Sequence, residues 1–202
     1  MGKKNTLLYL DEELVQLAKG FEINMSEVAE VAIREKVFPL MSAGGRALLF
    51  DLLLEDLKKN GECFTLPCAV KGVRLKNVGP LEELDAKFVR GVNLVLGGNA
   101  SGKSSLICAI ACAMGQSVWR PPSVTLDKKQ MAVEIELFEP MAGAEPDRCI
   151  LLDEPLARVA DPDEKHKAKF VQWLSKKYQQ AIIASTDKSY VVSNIVRLRA
   201  KR

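Results

Sequence analysis

The run Gly97-Gly98-Asn99-Ala100-Ser101-Gly102-Lys103-Ser104 fits the pattern G-x-x-x-x-G-K-[ST]. Residue types at this spacing do a specific job. Glycines let the backbone curl until its N–H groups converge on an anion, Lys103 reaches the outer phosphates of a nucleotide, and the Ser104 hydroxyl ligates Mg²⁺. Gly97, Asn99, Ala100, Ser101, Gly102, Lys103, Ser104 and Ser105 are the candidate nucleotide contacts. A second group stands further along, where the apolar Cys149-Ile150-Leu151-Leu152 ends in Asp153-Glu154-Pro155. Two acids closing a buried strand complement a phosphate loop. Asp153 would share the Mg²⁺ with Ser104, and Glu154 would polarise an attacking water as base or orienter. Lys103 and Glu154 are thus the candidate catalytic residues, and ATP with Mg²⁺ the expected ligands.

Elements must position these residues. Residues 92–96 read as a buried strand and 105–114 as a helix, which puts the loop at a helix N-terminus, where the dipole favours negative charge. The apolar run before Asp153 describes a central parallel strand buried on both faces. Other strands are read at 70–78, 84–89, 124–126, 131–138, 181–187 and 195–198. A helix over 165–179 carries Phe170, Trp173 and Leu174 on its apolar side and His166 on its solvated face. Residues 43–60 form a further helix, with Leu48, Leu49, Leu52, Leu53, Leu54 and Leu57 on a wide apolar face. This predicts an α/β domain over residues 65–202 and a connector helix within 40–64.

The first 39 residues form a third unit. A short strand at 6–10 precedes a helix capped by Asp11. A second helix is capped by Ser26 and ends before Pro39. One strand and two short helices bury too little apolar surface to fold alone, so the unit needs a second copy or the rest of the chain.

Composition adds bounds. A chain of 202 residues with 48% hydrophobic content and net charge +3 is ordinary for a globular protein. No apolar run approaches the ~20 residues needed to span a bilayer, and basic Lys3 and Lys4 have no apolar core behind them, so neither a membrane nor secretion is expected. The five cysteines, Cys63, Cys68, Cys108, Cys112 and Cys149, follow no framework spacing, which fits reduced thiols in a cytoplasmic protein. Cys63 and Cys68 lack the second pair that a metal clamp needs. His166 is the single histidine, which excludes His-rich metal sites.

Two resemblances follow from these motifs. Residues 10–19, then Ile23-Asn24-Met25-Ser26, then the helix to Val37, resemble the ribbon-helix-helix family, particularly its CcdA-type antitoxins. That implies a homodimer made by pairing N-terminal strands into a ribbon that lies in the DNA major groove. It places Asn5, Leu7 and Tyr9 on the ribbon's outer face, a phosphate at Ser26, and Lys3 and Lys4 beside the DNA backbone. The order of strands around Gly98-Asn99-Ala100-Ser101-Gly102-Lys103-Ser104-Ser105-Leu106, with Asp153-Glu154, resembles the head of ABC-type ATPases, closest to the SMC class of chromosome-maintenance and break-repair ATPases. It implies a P-loop NTPase head of ABC/SMC type carrying an antiparallel sheet, which here includes 124–126 and 131–138.

The chain departs from that family where it matters. In SMC-class heads the interval between Phe138 and Cys149 holds a coiled coil and a signature helix, but about ten residues remain here, with only a faint echo at Ala142-Gly143-Ala144-Glu145. Gln116 and Gln130 are the weak candidates for the family's Q-loop glutamine, and Asp161 stands near its D-loop aspartate. The switch histidine is missing, Asp187 following Ser185-Thr186 where it would stand. A missing contact from a second subunit removes charge stabilisation. The expected enzyme is therefore a slow ATPase in a DNA-associated homodimer, with a partner protein as one possible source of the missing element. The competing expectation is a nucleotide-sensing assembly protein that binds ATP without turnover and leaves DNA alone.

Overall fold

A computed structural model describes residues 43–118, 130–140, 148–157 and 164–198. The chain divides into two compact units, Met1–Arg46 and Ala47–Arg202. The first lies almost wholly outside the described residues, and with it Lys3, Lys4, Asn5, Leu7, Tyr9 and Ser26. The expected strand at 124–126, Ala142–Glu145 and Asp161 also lie outside them.

Helix α1, Ala43–Lys59, contains no β-branched residue. Gly61, at φ 67°, ends it, with Gly61 N–H donating to Lys58 O and Glu62 N–H to Leu57 O. Those two bonds make a Schellman cap. Phe50, Leu53, Leu54 and Leu57 are buried, whereas Leu52, expected on the same face, is 47% exposed.

Five strands form one sheet: β1 (Cys63–Leu66), β4 (Gly91–Leu96), β6 (Cys149–Asp153), β7 (Gln180–Ser185) and β8 (Asn194–Arg197), in the order β1-β6-β7-β4-β8. Only β1 runs antiparallel. A second, antiparallel sheet holds β3 (Leu81–Lys87), β2 (Val70–Val78) and β5 (Ala132–Leu137). The β2–β3 hairpin turns at Gly79-Pro80, bringing Val78 opposite Leu81, so β3 begins three residues earlier than the sequence pattern predicts. Strand β1, which the sequence reading lacks, covers the edge of β6.

Helix α2, Lys103–Ala113, lies between the sheets. Its Leu106, Ile107 and Ile110 share one core with Val73 and Leu75 of β2 and with Val95, Leu151, Ile182 and Ala184 of the parallel strands. Strand alternation sends Leu94, Ile150, Leu152 and Ile183 to the opposite face, and these are buried as well. Helix α3, Glu164–Lys177, packs against β4 and β7. Phe170 meets Phe50 of α1 edge-on at 5.2 Å between centroids, and Trp173 lies against both rings. Covering both faces explains why the parallel strands read as continuous apolar runs.

All five cysteines are free thiols. Cys63 is buried in β1 opposite Leu152, and burial pushes its thiol up to about 12. That is the environment of a packing residue rather than a thiolate ligand. Among the described residues no helix is long and apolar enough to cross a membrane.

Candidate functional site

The parallel strands end together. Leu96 of β4 lies level with Ser185 of β7, and Asp153 of β6 level with Ala184. Past Leu96 the chain curls into the glycine loop, where Ser101 N–H donates to Gly98 O and Gly97 N–H to Ser185 O. Two residues of the loop take positive φ, Ala100 at 59° and Gly102 at 95°. A Cβ on Gly102 would lie 2.7 Å from Leu81 Cγ, so both the turn and the close approach of the β2–β3 hairpin require glycine. No side chain caps α2 at Gly102. The N–H groups of its first turn are thus left for a ligand, and an anion suits that place best.

Lys103 is buried, with 7% of its surface exposed. Its Nζ donates to the carbonyls of Gly97 and Gly98, both at 3.0 Å, and stands 3.5 Å from Glu154 Oε1. The lysine is folded back over the loop it belongs to, with an acid as its counter-charge.

The two acids at the end of β6 part company. Asp153 continues the alternation of Cys149 and Leu151 toward the α2 side, where the Ser104 hydroxyl stands beside its carboxylate. Burial pushes the Asp153 carboxyl above its ordinary value. Ser104 and Lys103 oppose that shift, while Glu154 and Glu62 add repulsion. Its Oδ1 is buried and has no hydrogen-bond partner. An unpaired carboxylate oxygen beside a serine hydroxyl is a donor set suited to a hard cation that keeps several waters, so the residues fit Mg²⁺. Bound there, the ion would neutralise phosphate charge.

Glu154 takes φ 44°, an unusual conformation for a side-chain-bearing residue. That turn carries its carboxylate to the end of β7. Oε2 accepts from Ser185 Oγ at 2.9 Å and Oε1 from Thr186 N–H at 2.9 Å. Lys103, Ser104, Asp153 and Glu154 therefore gather at one end of the sheet, and the glycine loop closes over them.

Three expectations change. Strand β7 stops at Ser185, so Thr186, not Asp187, follows the strand. Asp187 is tied to Lys167 of α3 and accepts from Ser189 N–H and Oγ. Burial opposes its charged form, but these bonds outweigh it and hold the carboxyl at about 2. An acid so occupied is a strut for the turn. Gln116 follows the C-terminal end of α2, one helix length of roughly 16 Å from the loop, at 1.5 Å rise per residue, which removes it from the nucleotide site. His166 is half-buried rather than solvated. Sequence reading missed Ser185 and Thr186. A run Ser-Thr-Asp closing an apolar strand level with the phosphate loop was the available signal.

A nucleotide-phosphate loop, two split carboxylates and a mixed sheet between helices define a P-loop ATPase head. The family model described as an AAA domain matches residues 73–189, more than half of the 202-residue chain, and the chain belongs to that family. No curated protein matches the sequence. Among solved structures the chain is similar to the recombination mediator protein RecF of the RecFOR pathway. RecF with ATPrS is 30% identical and RecF with ATP 29% identical, each with a TM-score of 0.31 over 37% of this chain. The match spans 21% of the RecF chain, about a fifth of its length.

Proposed function

We propose that the chain is a slow, Mg²⁺-dependent ATPase of ABC/SMC-head type. The observation that carries this is the split pair at the end of β6. Asp153 is aimed at Ser104 with an unpaired oxygen, and Glu154 reaches Lys103 from the other side. Gly97, Asn99, Ala100, Ser101, Gly102, Lys103, Ser104 and Ser105 cradle the phosphates, Ser104 and Asp153 hold the metal ion, and Glu154 orients the attacking water. Turnover is slow because too few residues separate Phe138 from Cys149 to build a signature helix. The antiparallel β3-β2-β5 sheet beside the loop supports the ABC/SMC subtype.

Residues 1–39 supply a ribbon-helix-helix dimer that docks on DNA, and residues 65–202 the head. The support for the dimer is the sequence pattern of those residues. Phosphate release is the test of the head. The parent should exceed Lys103→Ala clearly, and Glu154→Gln should bind ATP yet release phosphate at background. A parent already at background leaves the nucleotide-sensing reading in its place. DNA titration with and without Mg·ATP tests the rest. The expected binding weakens steeply with salt and is lost when residues 1–38 are deleted.

A further inference from the structure

The turn after β7 contains a small hydrogen-bond circuit aimed at Glu154. A serine hydroxyl has one proton to give and two lone pairs. Ser185 is buried at 3% exposure, and its Oγ accepts from Asp187 N–H at 3.1 Å. The buried Tyr190 phenol lies beside Ser185, and burial, with Asp187 and Glu154 nearby, pushes it upward, so it stays neutral there. With Asp187 N–H on its oxygen, the single proton of Ser185 goes to Glu154 Oε2 at 2.9 Å. The turn that presents these groups is fastened to α3 by Lys167, which bonds Asp187 and donates to Ser189 Oγ at 2.8 Å.

We propose that Ser185 is the positioning residue for Glu154 in ATP hydrolysis. The inference rests on the hydrolytic reading above and names what aims its base. A carboxylate offers about four lone-pair sites. Ser185 and Thr186 hold one on each oxygen, and Lys103 faces Oε1. When Lys103 turns to phosphate, the acid keeps its two donors from β7 and the next residue while a site on Oε1 opens for water. Without the serine proton the glutamate is free to rotate, and its water loses alignment.

The test is steady-state phosphate release together with ATP binding on the full chain. Ser185→Ala should lower kcat about 10- to 100-fold, the scale of a small misplacement at a reacting centre, with ATP affinity within about twofold of the parent. Ser185→Thr, which keeps the hydroxyl, should recover most of kcat. A kcat within twofold of the parent for Ser185→Ala, or a loss confined to KM, overturns the relay and leaves the ATPase reading intact. A parent that releases no phosphate beyond Lys103→Ala overturns both.

Discussion

The two ends of the parallel sheet are built on opposite principles. At the start of the strands, buried amides are bonded through both their oxygen and their nitrogen. Gln180 Oε1 accepts from Val70 N–H at 2.7 Å, and its Nε2 donates to Val70 O and Val89 O. Asn93 Oδ1 accepts from Val89 N–H and Asn194 Nδ2, while its Nδ2 donates to Val89 O and Gly91 O. Gln180 thereby ties β2 of the antiparallel sheet to β7 of the mixed one, and Asn93 ties the linker after β3 to β4 and β8. At the finish of the strands the rule reverses. Asp153 Oδ1 and Ser101 Oγ, the buried side-chain atoms without a partner among the described residues, both stand there, and so do Ala100 and Glu154 at positive φ. Saturated polar groups rigidify a joint. Unsatisfied groups and strained backbone at a loop's mouth are stability given up for a ligand. The difference teaches where this fold is scaffold and where it is instrument.

Substitutions can break the contrast. The largest effect should come from Lys103→Ala. Removing a preorganised cation from a phosphate site costs at least about 10²-fold in turnover, yet thermal denaturation should shift little, because the lysine's partners are loop carbonyls that water can reach once it is gone. Equal damage to Tm and turnover would deny that this end is an instrument. Gln180→Ala should invert the pattern. It orphans Val70 N–H and two carbonyls in the interior, at about 1–3 kcal/mol for each group that stays unpaired. Urea unfolding should show a loss of roughly 3 kcal/mol, with ATP turnover per folded molecule unchanged. Gly102→Ala should be costly for both properties, since an added Cβ meets Leu81 and the residue must hold φ 95°.

What the sequence shows of this contrast is uneven, for physical reasons. Strands buried on both faces write themselves as apolar runs, so β4, β6 and β7 were legible, and the glycine loop states its own chemistry. Strand β1 was not, because Cys63-Phe64-Thr65-Leu66 sits between Gly61 and Pro67 and offers too few residues to show alternation. Asn93 and Gln180 read as ordinary polar residues. Neither belongs to a motif, and only tertiary structure names the carbonyls they hold. Asp153 and Glu154 were legible as a pair, but the φ of 44° that sends them to different partners is not written in residue type. The links from Lys167 to Asp187 and from Ser185 to Glu154 depend on how a turn sits against α3, which no local pattern encodes.

Asp153 sharpens the comparison through pH. Its folded-state pKa lies above the ordinary 3.8, chiefly through burial. The native state therefore holds this proton more tightly than the unfolded chain does. Stability without metal is favoured at low pH and falls as pH rises from 3.8 through the raised value, and the penalty is complete once that value is passed. Asp153→Asn should thus raise the Tm of the metal-free protein at pH 7, by an amount equivalent to about 1 kcal/mol, the scale of one unpaired buried acceptor. The advantage should shrink toward zero as pH drops below 3.8. With Mg·ATP present the order should reverse, since the parent gains ligand stabilisation that the variant loses.

The smallest effect belongs to Ala100. A left-handed conformation costs a side-chain-bearing residue roughly 1–2 kcal/mol. Glycine avoids that cost but surrenders about 0.5–1 kcal/mol of chain entropy on folding. Ala100→Gly should therefore stabilise the ligand-free protein by about 0.5 kcal/mol, the difference of those two terms. The phosphate loop, however, would have more conformations to lose when it closes on an anion. ATP affinity should fall slightly while Tm rises, and calorimetric binding beside thermal unfolding reads both. If both rise together, the positive φ at Ala100 is incidental strain, and the finish of the strands holds one fewer concession to its ligand.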